Sequence, residues 1–416
     1  MSTFDLTGIS WVRLSFVDVF GTAHSMQIPA SRFPEAAEKG VWFDGSSLEG
    51  RARVMETDMR LLPDPSSLVR TDDGVARAVC VVLCDDGTPW AGDPRTALAI
   101  VLDQTGDLGA QFALAAELEF YLLDEDGEPI DTAGYFIESE GLGMSVVRDA
   151  AAKLEGWGIH IDSLHHEAGP GQYEIDLAAL PAIELADALV LAKQAIRESA
   201  AREELIATFM ARPISAEPGS GLHLHQRVGD RLTHDDGSLT EDGRAFIAGQ
   251  LEHARGLSAL ASPTVNSYKR LHSGPEAPST AVWAHANRGA LIRLSPSAGD
   301  GATIEFRSAD PSANPYLLFA GLIISAAHGI GASLDLPPAV EEEAAGFDPV
   351  ASDSSRADTL PRDLEEALSA LQIDDVLVDA FDPQLLSRLL DGRRAEASEY
   401  RSQVTPWEVE LYLGDA

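Results

Sequence analysis

The segment His165–Asp176 has the sequence HHEAGPGQYEID and carries two glutamates, Glu167 and Glu174, on either side of a Gly-Pro-Gly turn. Because glycine and proline do not continue a helix or a central strand, the chain must bend here. A bend between two short extended arms can aim both carboxylates at one point, and hard cations such as Mg²⁺ or Mn²⁺ take oxygen ligands of this kind. A solvated acidic turn is the alternative interpretation of the segment alone, because glutamate is mostly exposed in proteins.

A second pair of carboxylates, Glu117 and Glu119, lies in a predicted strand over residues 111–123. Side chains alternate along a strand, so both glutamates share one face and Leu118 occupies the other. Two buried carboxylates on one face repel each other unless protons or a metal ion neutralise them. The pair therefore indicates either a metal site or a solvated strand face.

Two histidines, His223 and His225, alternate on another predicted strand that follows Gly219 and Gly221. Glycines at such positions allow the backbone to approach a ligand closely. Imidazole nitrogens are common metal ligands, although a lone histidine on a strand also serves structural or surface roles.

These segments resemble the glutamine synthetase family, of the bacterial class I type, and within it the divergent actinobacterial branch that includes γ-glutamylpolyamine synthetases. The matching segments follow one another in the family's order: FDGSSLEG (43–50), AELEF (116–120), HHEAGPGQYEID (165–176), GSGLHLH (219–225), NSYKRL (266–271), EAP (276–278), NR (287–288) and IEFRSADPSANPYL (304–317). They span nearly the whole chain, which makes the resemblance far more specific than any single motif.

The resemblance implies ATP as the nucleotide and two or three divalent ions, Mg²⁺ or Mn²⁺, as cofactors. The implied ligands are Glu119, Glu167 and Glu174 for one ion and Glu117, His223 and Glu305 for the other. Five carboxylates and one imidazole are a donor set for hard divalent ions and not for zinc.

The resemblance also implies how glutamate and ATP are held. Arg270 and Arg307 match the pair that grips the α-carboxylate of glutamate, and guanidinium groups fit carboxylates bidentately. Gly219 belongs to the same substrate site. The implied nucleotide-binding residues are His225, Arg288 and Arg293, and Arg288 also acts in catalysis by neutralising charge during phosphoryl transfer.

Three residues are implied to handle the amine. By resemblance, Asp44 and Ser47 reach the active site of the neighbouring subunit, where they bind ammonium, and Asp44 accepts its proton. Glu276 resembles a flap glutamate that shields the intermediate and takes a proton from the incoming amine.

Several residues depart from the family's pattern. Pro218 stands where an asparagine usually helps to hold the amino group of glutamate, and Thr303 stands where a basic residue usually contacts ATP. Arg227 replaces a small hydroxyl residue. Arg212 replaces a lysine, and we expect a structural role for it. Leu334 replaces the tyrosine of members that are controlled by adenylylation, so that regulation is not expected.

The predicted function is an ATP-dependent ligase that joins the γ-carboxylate of L-glutamate to ammonia through a γ-glutamyl phosphate. The retained FDGSS segment favours ammonia, whereas Pro218 and the acidic composition favour a γ-glutamylpolyamine or other γ-glutamyl-amine synthetase. A non-catalytic structural or regulatory homologue is a second alternative, and loss of a metal ligand would be its sign. A metal-dependent hydrolase is disfavoured by the arginines that suit carboxylate and phosphate.

The fold class implied is α+β, with an N-terminal β-grasp domain over residues 1–95 and a glutamine synthetase catalytic domain with a curved antiparallel sheet over residues 96–416. Alternation of apolar residues predicts a hairpin over 10–30 and a strand over 78–84. Predicted helices cover 96–103, 144–156, 184–206, 243–261, 314–330, 364–371 and 383–390. Residues 211–227 are predicted as strand, loop and strand, and 335–362 as an exposed loop.

The amino-acid composition limits the classes of binding partner and the cellular compartment that we expect. The net charge of the 416 residues is −37, which opposes binding to nucleic acids and anionic membranes. The two cysteines, Cys80 and Cys84, are expected to be small buried residues in a reducing compartment. No secretory signal and no membrane span are expected, so the predicted location is the cytoplasm. A homododecamer with active sites between subunits is implied by the resemblance.

Overall fold

A sheet of six strands organises the N-terminal part of the chain. The computed structural model describes residues 4–45, 48, 58–72, 74–138, 141–272, 277–296, 302–341 and 359–414. The strands are β1 (Trp11–Val17), β2 (Ala23–Pro29), β3 (Val41–Phe43), β4 (Met59–Pro63), β5 (Val69–Asp72) and β6 (Val75–Leu83). Their order is β2-β1-β6-β4-β3 with β5 beside β6, and β1 runs parallel to β6. Helix α1 (Phe33–Lys39) packs against β4.

The predicted hairpin is confirmed by β1 and β2, which pair antiparallel along their whole length. The turn forms because Asp18 accepts from the backbone N–H groups of Phe20 and Thr22 at 3.0 and 2.9 Å. Gly21 has φ +85°, a left-handed conformation that glycine adopts without steric cost.

A curved sheet of eight strands forms the centre of the remainder of the chain. The order is β12-β13-β14-β11-β7-β9-β8, with β10 beside β7, and all pairs except β12 with β13 are antiparallel. The strands are β7 (Phe112–Leu123), β8 (Ile161–His166), β9 (Gln172–Pro181), β10 (Ile206–Thr208), β11 (Leu222–Val228), β12 (Trp283–Ala284), β13 (Ile292–Pro296) and β14 (Ala302–Phe306). The predicted α+β class with a mainly antiparallel catalytic sheet is confirmed.

Helices cover one face of this sheet and complete the core. They are α2 (Pro94–Gln104), α3 (Asp107–Ala110), α4 (Leu142–Gly156), α5 (Ala182–Arg202), α6 (Glu241–Glu252), α7 (Ala254–Ala261), α8 (Val265–Leu271), α9 (Pro315–Ala332), α10 (Leu364–Ile373), α11 (Asp375–Asp379), α12 (Pro383–Ser402) and α13 (Pro406–Tyr412). Apolar residues of β7 such as Leu118 and Phe120 are fully buried in this helix layer. The intervening residues of β7 therefore face the other side of the sheet.

Helix α9 is the one helix in the described ranges that is long and apolar enough to cross a membrane by length and composition. Two-thirds of it (67%) is buried inside the protein, and it packs against α2, α5, α6 and α7. Such burial is typical of a core helix. Its first turn is capped by Asn314, whose side chain accepts from the N–H of Tyr316 at 3.1 Å.

Four predicted element boundaries are wrong. The helix predicted over 184–206 ends at Arg202, because Glu204 adopts a left-handed φ of 58° and β10 follows. Residues 211–220 form a loop without a strand, so β11 is the strand of that region. The helical stretch 243–261 breaks at His253 into α6 and α7. The helix predicted over 383–390 extends to Ser402. The prediction ended too early because the later turns of this helix are polar and show no apolar period.

Candidate active site

Cross-strand pairing in the catalytic sheet brings together side chains from distant parts of the sequence. On one row of the sheet, His165 of β8 pairs with Glu174 of β9, and Glu174 pairs with Glu119 of β7. On a neighbouring row, Glu117 of β7 pairs with His223 of β11. Because paired side chains share a face, the register alone gathers these five groups on the face opposite to the helices.

Glu117, His223 and Glu305 form a compact trio whose ligand atoms lie within 4.8 Å of one another. His223 Nδ1 lies 2.8 Å from Glu117 Oε2 and 4.0 Å from Glu305 Oε1. His225 Nε2 lies 2.8 Å from Glu117 Oε1. Burial raises the pKa of Glu117, but hydrogen bonds with His223 and His225 outweigh it and hold that pKa well below its ordinary value. Glu117 therefore stays ionised, as a ligand of a divalent ion must be.

Glu305 is completely buried, and donors surround its carboxylate. Arg293 Nε and Ser295 Oγ donate to Oε2 at 2.6 and 2.5 Å, and Arg307 pairs with Oε1. Burial raises the pKa of Glu305, but Arg307, the neighbouring histidines and Arg293 together lower it to about 2. Arg307 also donates through Nε to the carbonyl of Arg288 at 2.9 Å, which fixes its orientation.

The second group of carboxylates surrounds His165. Its Nε2 lies 3.3 Å from Glu174 Oε1 and its Nδ1 lies 3.8 Å from Glu167 Oε1, so the two glutamates that flank the turn converge on one side chain. Burial and the charges of Glu119 and Asp176 raise the pKa of Glu174 strongly. Asp176 Oδ1 is buried and finds no hydrogen-bond donor among the described residues. Crowded carboxylates with an unsatisfied oxygen fit a hard divalent ion.

Two cavities adjoin along this wall of carboxylates. One has a volume of about 480 Å³ and the other about 770 Å³. Residues that line both are Glu119, Glu167, Ala168, His223 and Arg307. The 770 Å³ cavity additionally reaches Glu117, Glu174, Arg288 and Arg293, and the 480 Å³ cavity reaches Gly219 and Arg270. Most of the predicted metal, substrate and phosphate residues that the structure describes thus line one or both of these adjoining cavities, whereas His225 and Glu305 line neither.

Arg270 is held rigidly at the edge of the 480 Å³ cavity. It is 5% exposed, and its Nη1 and Nη2 donate to the carbonyls of Ser308 and Arg307 at 3.0 and 3.2 Å. Gly219 packs directly against it, because a Cβ on this glycine would lie 2.7 Å from Arg270 Cγ. The glycine is therefore required by the close approach of the loop both to the arginine side chain and to the carbonyl of Ala211, whose oxygen would lie 2.5 Å from that Cβ.

Of the three residues in the amine-handling prediction, Asp44 alone lies within the described part of the chain. Asp44 follows β3, is exposed, and lines neither cavity within the described part of this single chain. Ser47 and Glu276 lie outside the described residues. The predicted contact of Asp44 with a neighbouring subunit stays a prediction.

The departures from the family's pattern are accommodated by specific contacts. The hydroxyl of Tyr121 donates to the carbonyl of Pro218 at 2.7 Å, and Thr303 Oγ1 lies 2.9 Å from His225 Nδ1. Arg212 donates to the carbonyls of Lys269 and Ser215 at 3.0 and 2.6 Å, which ties the loop before β11 to helix α8. These contacts agree with the structural role expected for Arg212, although it also lines the 480 Å³ cavity.

Sequence reasoning missed several lining residues. Tyr135 and Phe136 border the 770 Å³ cavity, and the Phe136 ring lies edge-on to His165 with centroids 4.6 Å apart. Phe136 has φ 56°, a conformation that is uncommon outside glycine and accompanies functional sites. Gln172 Nε2 donates to Glu119 Oε2 and to the carbonyl of Gly219, both at 3.1 Å. The aromatic pair lies in a loop without periodicity, so only its Gly-Tyr-Phe sequence could have drawn attention.

The five glutamates and His223 of the predicted ligand set, bordered by Arg270, Arg288, Arg293 and Arg307, have the composition expected of a site for divalent-metal-dependent phosphoryl transfer. Family models agree with this class of enzyme. Residues 8–86 match the glutamine synthetase beta-grasp domain, and residues 91–412 match the glutamine synthetase catalytic domain. The chain belongs to the glutamine synthetase family.

Individual relatives extend over nearly the whole chain. It is 38% identical to the glutamine synthetase of Halobacterium salinarum, over 98% of this chain and 94% of the relative. It is 37% identical to that of Mycobacterium tuberculosis, over 99% and 98%. Among solved structures, a GmaS/ADP complex superposes with a TM-score of 0.86 at 28% identity, covering 98% of this chain and 97% of that one. Plasmodium falciparum glutamine synthetase shares the fold, with a TM-score of 0.87 at 21% identity and coverage of 99% and 97%.

Proposed function

We propose that this protein is an ATP-dependent ligase that joins the γ-carboxylate of L-glutamate to ammonia through a γ-glutamyl phosphate. The observation that carries the proposal is similarity to glutamine synthetases over 98% and 99% of the chain. The convergence of glutamates and histidines from β7, β9, β11 and β14 around two adjoining cavities supports it, since each partner in the proposed reaction needs room beside that wall.

In the first proposed step, a γ-carboxylate oxygen of glutamate attacks the γ-phosphorus of ATP, the bond from that phosphorus to the bridging oxygen of the β-phosphate breaks, and ADP leaves as γ-glutamyl phosphate forms. Arg270 and Arg307 hold the α-carboxylate, and His225, Arg288 and Arg293 orient the phosphates. Divalent ions, Mg²⁺ or Mn²⁺, held by the two carboxylate groups would offset the negative charge of the transferring phosphoryl group. The short contacts among Glu305, Arg293 and Arg307 support this arrangement, because they fix the arginines before the nucleotide arrives.

In the second proposed step, ammonium loses a proton, the resulting ammonia attacks the γ-carbonyl carbon of the acyl phosphate, inorganic phosphate leaves, and the nitrogen loses a further proton to give the amide. Asp44 and Ser47 of a neighbouring subunit would hold the ammonium, and Glu276 would exclude water and accept the proton. The exposure of Asp44 supports a role at a subunit contact. We extend the proposal to a homododecamer in the cytoplasm, with the division between its two domains at residues 95 and 96.

Phosphate release from ATP tests the proposal. The purified protein with Mg²⁺ or Mn²⁺ is given glutamate and ATP, together with ammonium, putrescine or spermine in separate reactions. We expect glutamate-dependent phosphate release with ammonium. Glu117→Gln should reduce it by about a hundredfold, because it removes the charge that His223 and His225 share. Glu252→Gln, at an exposed position on the last turn of α6, serves as the matched control.

The alternatives give different results in the same assay. Activity with putrescine or spermine but not with ammonium would assign a γ-glutamylpolyamine synthetase. Absence of both divalent-ion binding and glutamate-dependent ATP hydrolysis would refute the ligase and favour a structural or regulatory homologue.

A further inference from the structure

Asp131 lies behind the candidate active site and binds the turn that carries two of its glutamates. In the described part of the chain it lines neither the 480 Å³ nor the 770 Å³ cavity. Both oxygens of its carboxylate contact the segment 166–173, which contains Glu167 and ends one residue before Glu174. No step of the proposed reaction uses Asp131, so its place beside this turn requires another explanation.

Four groups converge on the Asp131 carboxylate. Its Oδ1 lies 2.9 Å from His166 Nε2 and accepts from the backbone N–H groups of Gly171 and Ala133 at 3.0 and 3.1 Å. The hydroxyl of Tyr173 donates to Oδ2 at 2.5 Å. An ionised carboxylate accepts from several donors at once, and hydrogen bonds to a charged acceptor are the stronger ones. One side chain thus binds both arms of the Gly-Pro-Gly turn.

The two rings that Asp131 holds are direct neighbours of the glutamates. His166 is 1% exposed, and its Nδ1 lies 2.7 Å from the carbonyl oxygen of Glu167. Tyr173 is completely buried, and its ring lies edge-on to that of His166 with centroids 4.7 Å apart. Because successive side chains of a strand point to opposite faces, fixing Tyr173 on one face also fixes Glu174 on the other. The two contacts therefore set the directions of both glutamates.

The other proposed ion site has no such connection. Its ligands Glu117, His223 and Glu305 lie on β7, β11 and β14. The hydrogen bonds that Asp131 makes in the described ranges reach β8, β9, the turn between them and its own loop, and none reaches those three strands. Loss of the Asp131 carboxylate should therefore affect one group of ion ligands and spare the other.

We propose that Asp131 is a positioning residue that fixes the turn carrying Glu167 and Glu174 and so prepares these carboxylates to hold one of the two divalent ions. The inference rests on the proposed function only in taking the two glutamates as ion ligands. Asp131 itself touches neither substrate nor ion, and its effect passes through the turn. Ligands that are already ordered bind more tightly, because less conformational freedom is lost on binding.

Mn²⁺ binding to the purified, metal-free protein tests the inference. Electron paramagnetic resonance measures free Mn²⁺ during a titration without nucleotide, glutamate or amine. Asp131→Ala should weaken one site by about ten- to hundredfold, as loss of a partner that orients a metal ligand does, and should change the other by less than about twofold. Asp131→Asn keeps an acceptor oxygen and should weaken the same site by only about threefold. This variant carries the test if Asp131→Ala does not fold.

Two further variants identify the weakened site. Glu174→Gln should weaken the site that Asp131→Ala weakens, and combining the two changes should leave the second site intact. Adding Glu117→Gln to Asp131→Ala should weaken the remaining site, because Glu117 belongs to the other group of ligands.

Asp124→Ala is the matched control. Asp124 closes the hairpin before Asp131 by accepting from the N–H groups of Asp126 and Glu128 at 3.0 and 2.9 Å. This control should bind Mn²⁺ as the unmodified protein does. Hydrogen exchange of the metal-free proteins gives a second readout, since the N–H of Gly171 should exchange faster in Asp131→Ala and not in Asp124→Ala.

Selective loss at the site that depends on Glu174 supports the inference, even if the protein shows no ligase turnover and the proposed function fails. Equal loss at both sites, or the same loss in Asp124→Ala, would show a general loosening of the fold and would overturn it. Unchanged Mn²⁺ binding in the folded Asp131 variants, together with ammonium-dependent turnover, would overturn the inference and leave the proposed function standing. Absence of Mn²⁺ binding by the unmodified protein would overturn the inference as well.

Discussion

Gly221 lies at the point where three functional side chains meet, and Gly221→Ala is the sharpest test of the site's geometry. A Cβ at this position would lie 2.7 Å from Arg270 Nη2, 2.8 Å from His223 Nε2 and 3.0 Å from Glu119 Oε1. Ordinary carbon contacts begin at about 3.4 Å, so His223 and Arg270 must each move by about 0.6–0.7 Å. The backbone of Gly221 does not adopt a positive φ, so the alanine is not strained by its conformation.

Displacements of this size are costly for catalysis but not for folding. A misplacement of about 1 Å can reduce turnover by about a hundredfold, because the reacting groups lose their alignment. The methyl group also intrudes between one side chain of each proposed ion site and the arginine proposed to hold glutamate. We therefore expect Gly221→Ala to lower glutamate-dependent phosphate release by roughly ten- to hundredfold and to weaken Mn²⁺ binding, with a melting temperature close to that of the unmodified protein.

Gly156→Ala is the matched control. Gly156 ends helix α4, and a Cβ there meets no heavy atom within 4 Å. It should retain activity and gain slightly in stability, because alanine is the better helix former. If Gly221→Ala binds Mn²⁺ and turns over like the control, the three side chains do not meet in the working enzyme as they do here, and the reasoning is refuted.

Three further predictions concern stability. Asn314→Ala should lower the free energy of unfolding by about 2 kcal/mol, because Asn314 caps α9 and donates to the carbonyl of Asp18 in the β1–β2 turn at 3.0 Å. Asn314→Ser, which keeps a capping oxygen and sets no charge against the carbonyls of Asp18 and Val19, should lose less, and equal melting of all three proteins would contradict this. Asp93 is buried, and burial raises its pKa to about 6, so the folded state binds its proton more tightly than the unfolded state does. Stability therefore falls as pH rises from about 4 to about 6, by up to roughly 3 kcal/mol, and Asp93→Asn should remove this slope; parallel pH profiles of the two proteins would disprove it. Divalent ions should raise the melting temperature in proportion to the logarithm of their concentration, since they relieve the repulsion between carboxylates around Glu174. A chelator should reverse this rise. A melting temperature that changes with neither the ions nor the chelator would exclude an ion at Glu174.

The resemblance to a known family was sufficient for the fold class, whereas the hairpin and single strands could be predicted from apolar alternation, which is a local property of the sequence. Alternation over β7 predicted that Glu117 and Glu119 share a face, and alternation over residues 10–30 predicted the hairpin. Helix ends were harder, because an apolar pattern continues across a break that only the backbone reveals. The break at His253 and the polar extension of α12 beyond residue 390 are both of this kind.

The residues of the candidate site likewise fall into two groups, those that could be found from the sequence and those that could not. Charged residues in family motifs could be found from the sequence, because the residue type alone indicates that a carboxylate can bind a metal ion and that a guanidinium can bind an anion. Tyr135 and Phe136 could not be found in this way, because their place at the site depends on the folding of their loop against His165. Nor could the sequence show that Arg307 pairs with Glu305, since that contact depends on the path of β14 and its exit from the sheet.

The contact between Arg307 and Glu305 also bears on one departure from the family's pattern, the threonine at position 303, and on whether it disables the enzyme. Glu305 is completely buried, and Arg293, Ser295 and Arg307 satisfy its carboxylate, so this arrangement does not depend on the residue at position 303. Thr303 instead contacts His225 at 2.9 Å, which orients a histidine that shares Glu117 with His223. The threonine at position 303 thus orients the neighbouring His225, and the charged side chains proposed to hold an ion are unchanged. Because leaving either buried partner unpaired is costly, these contacts stabilise the fold as well as the proposed ion site.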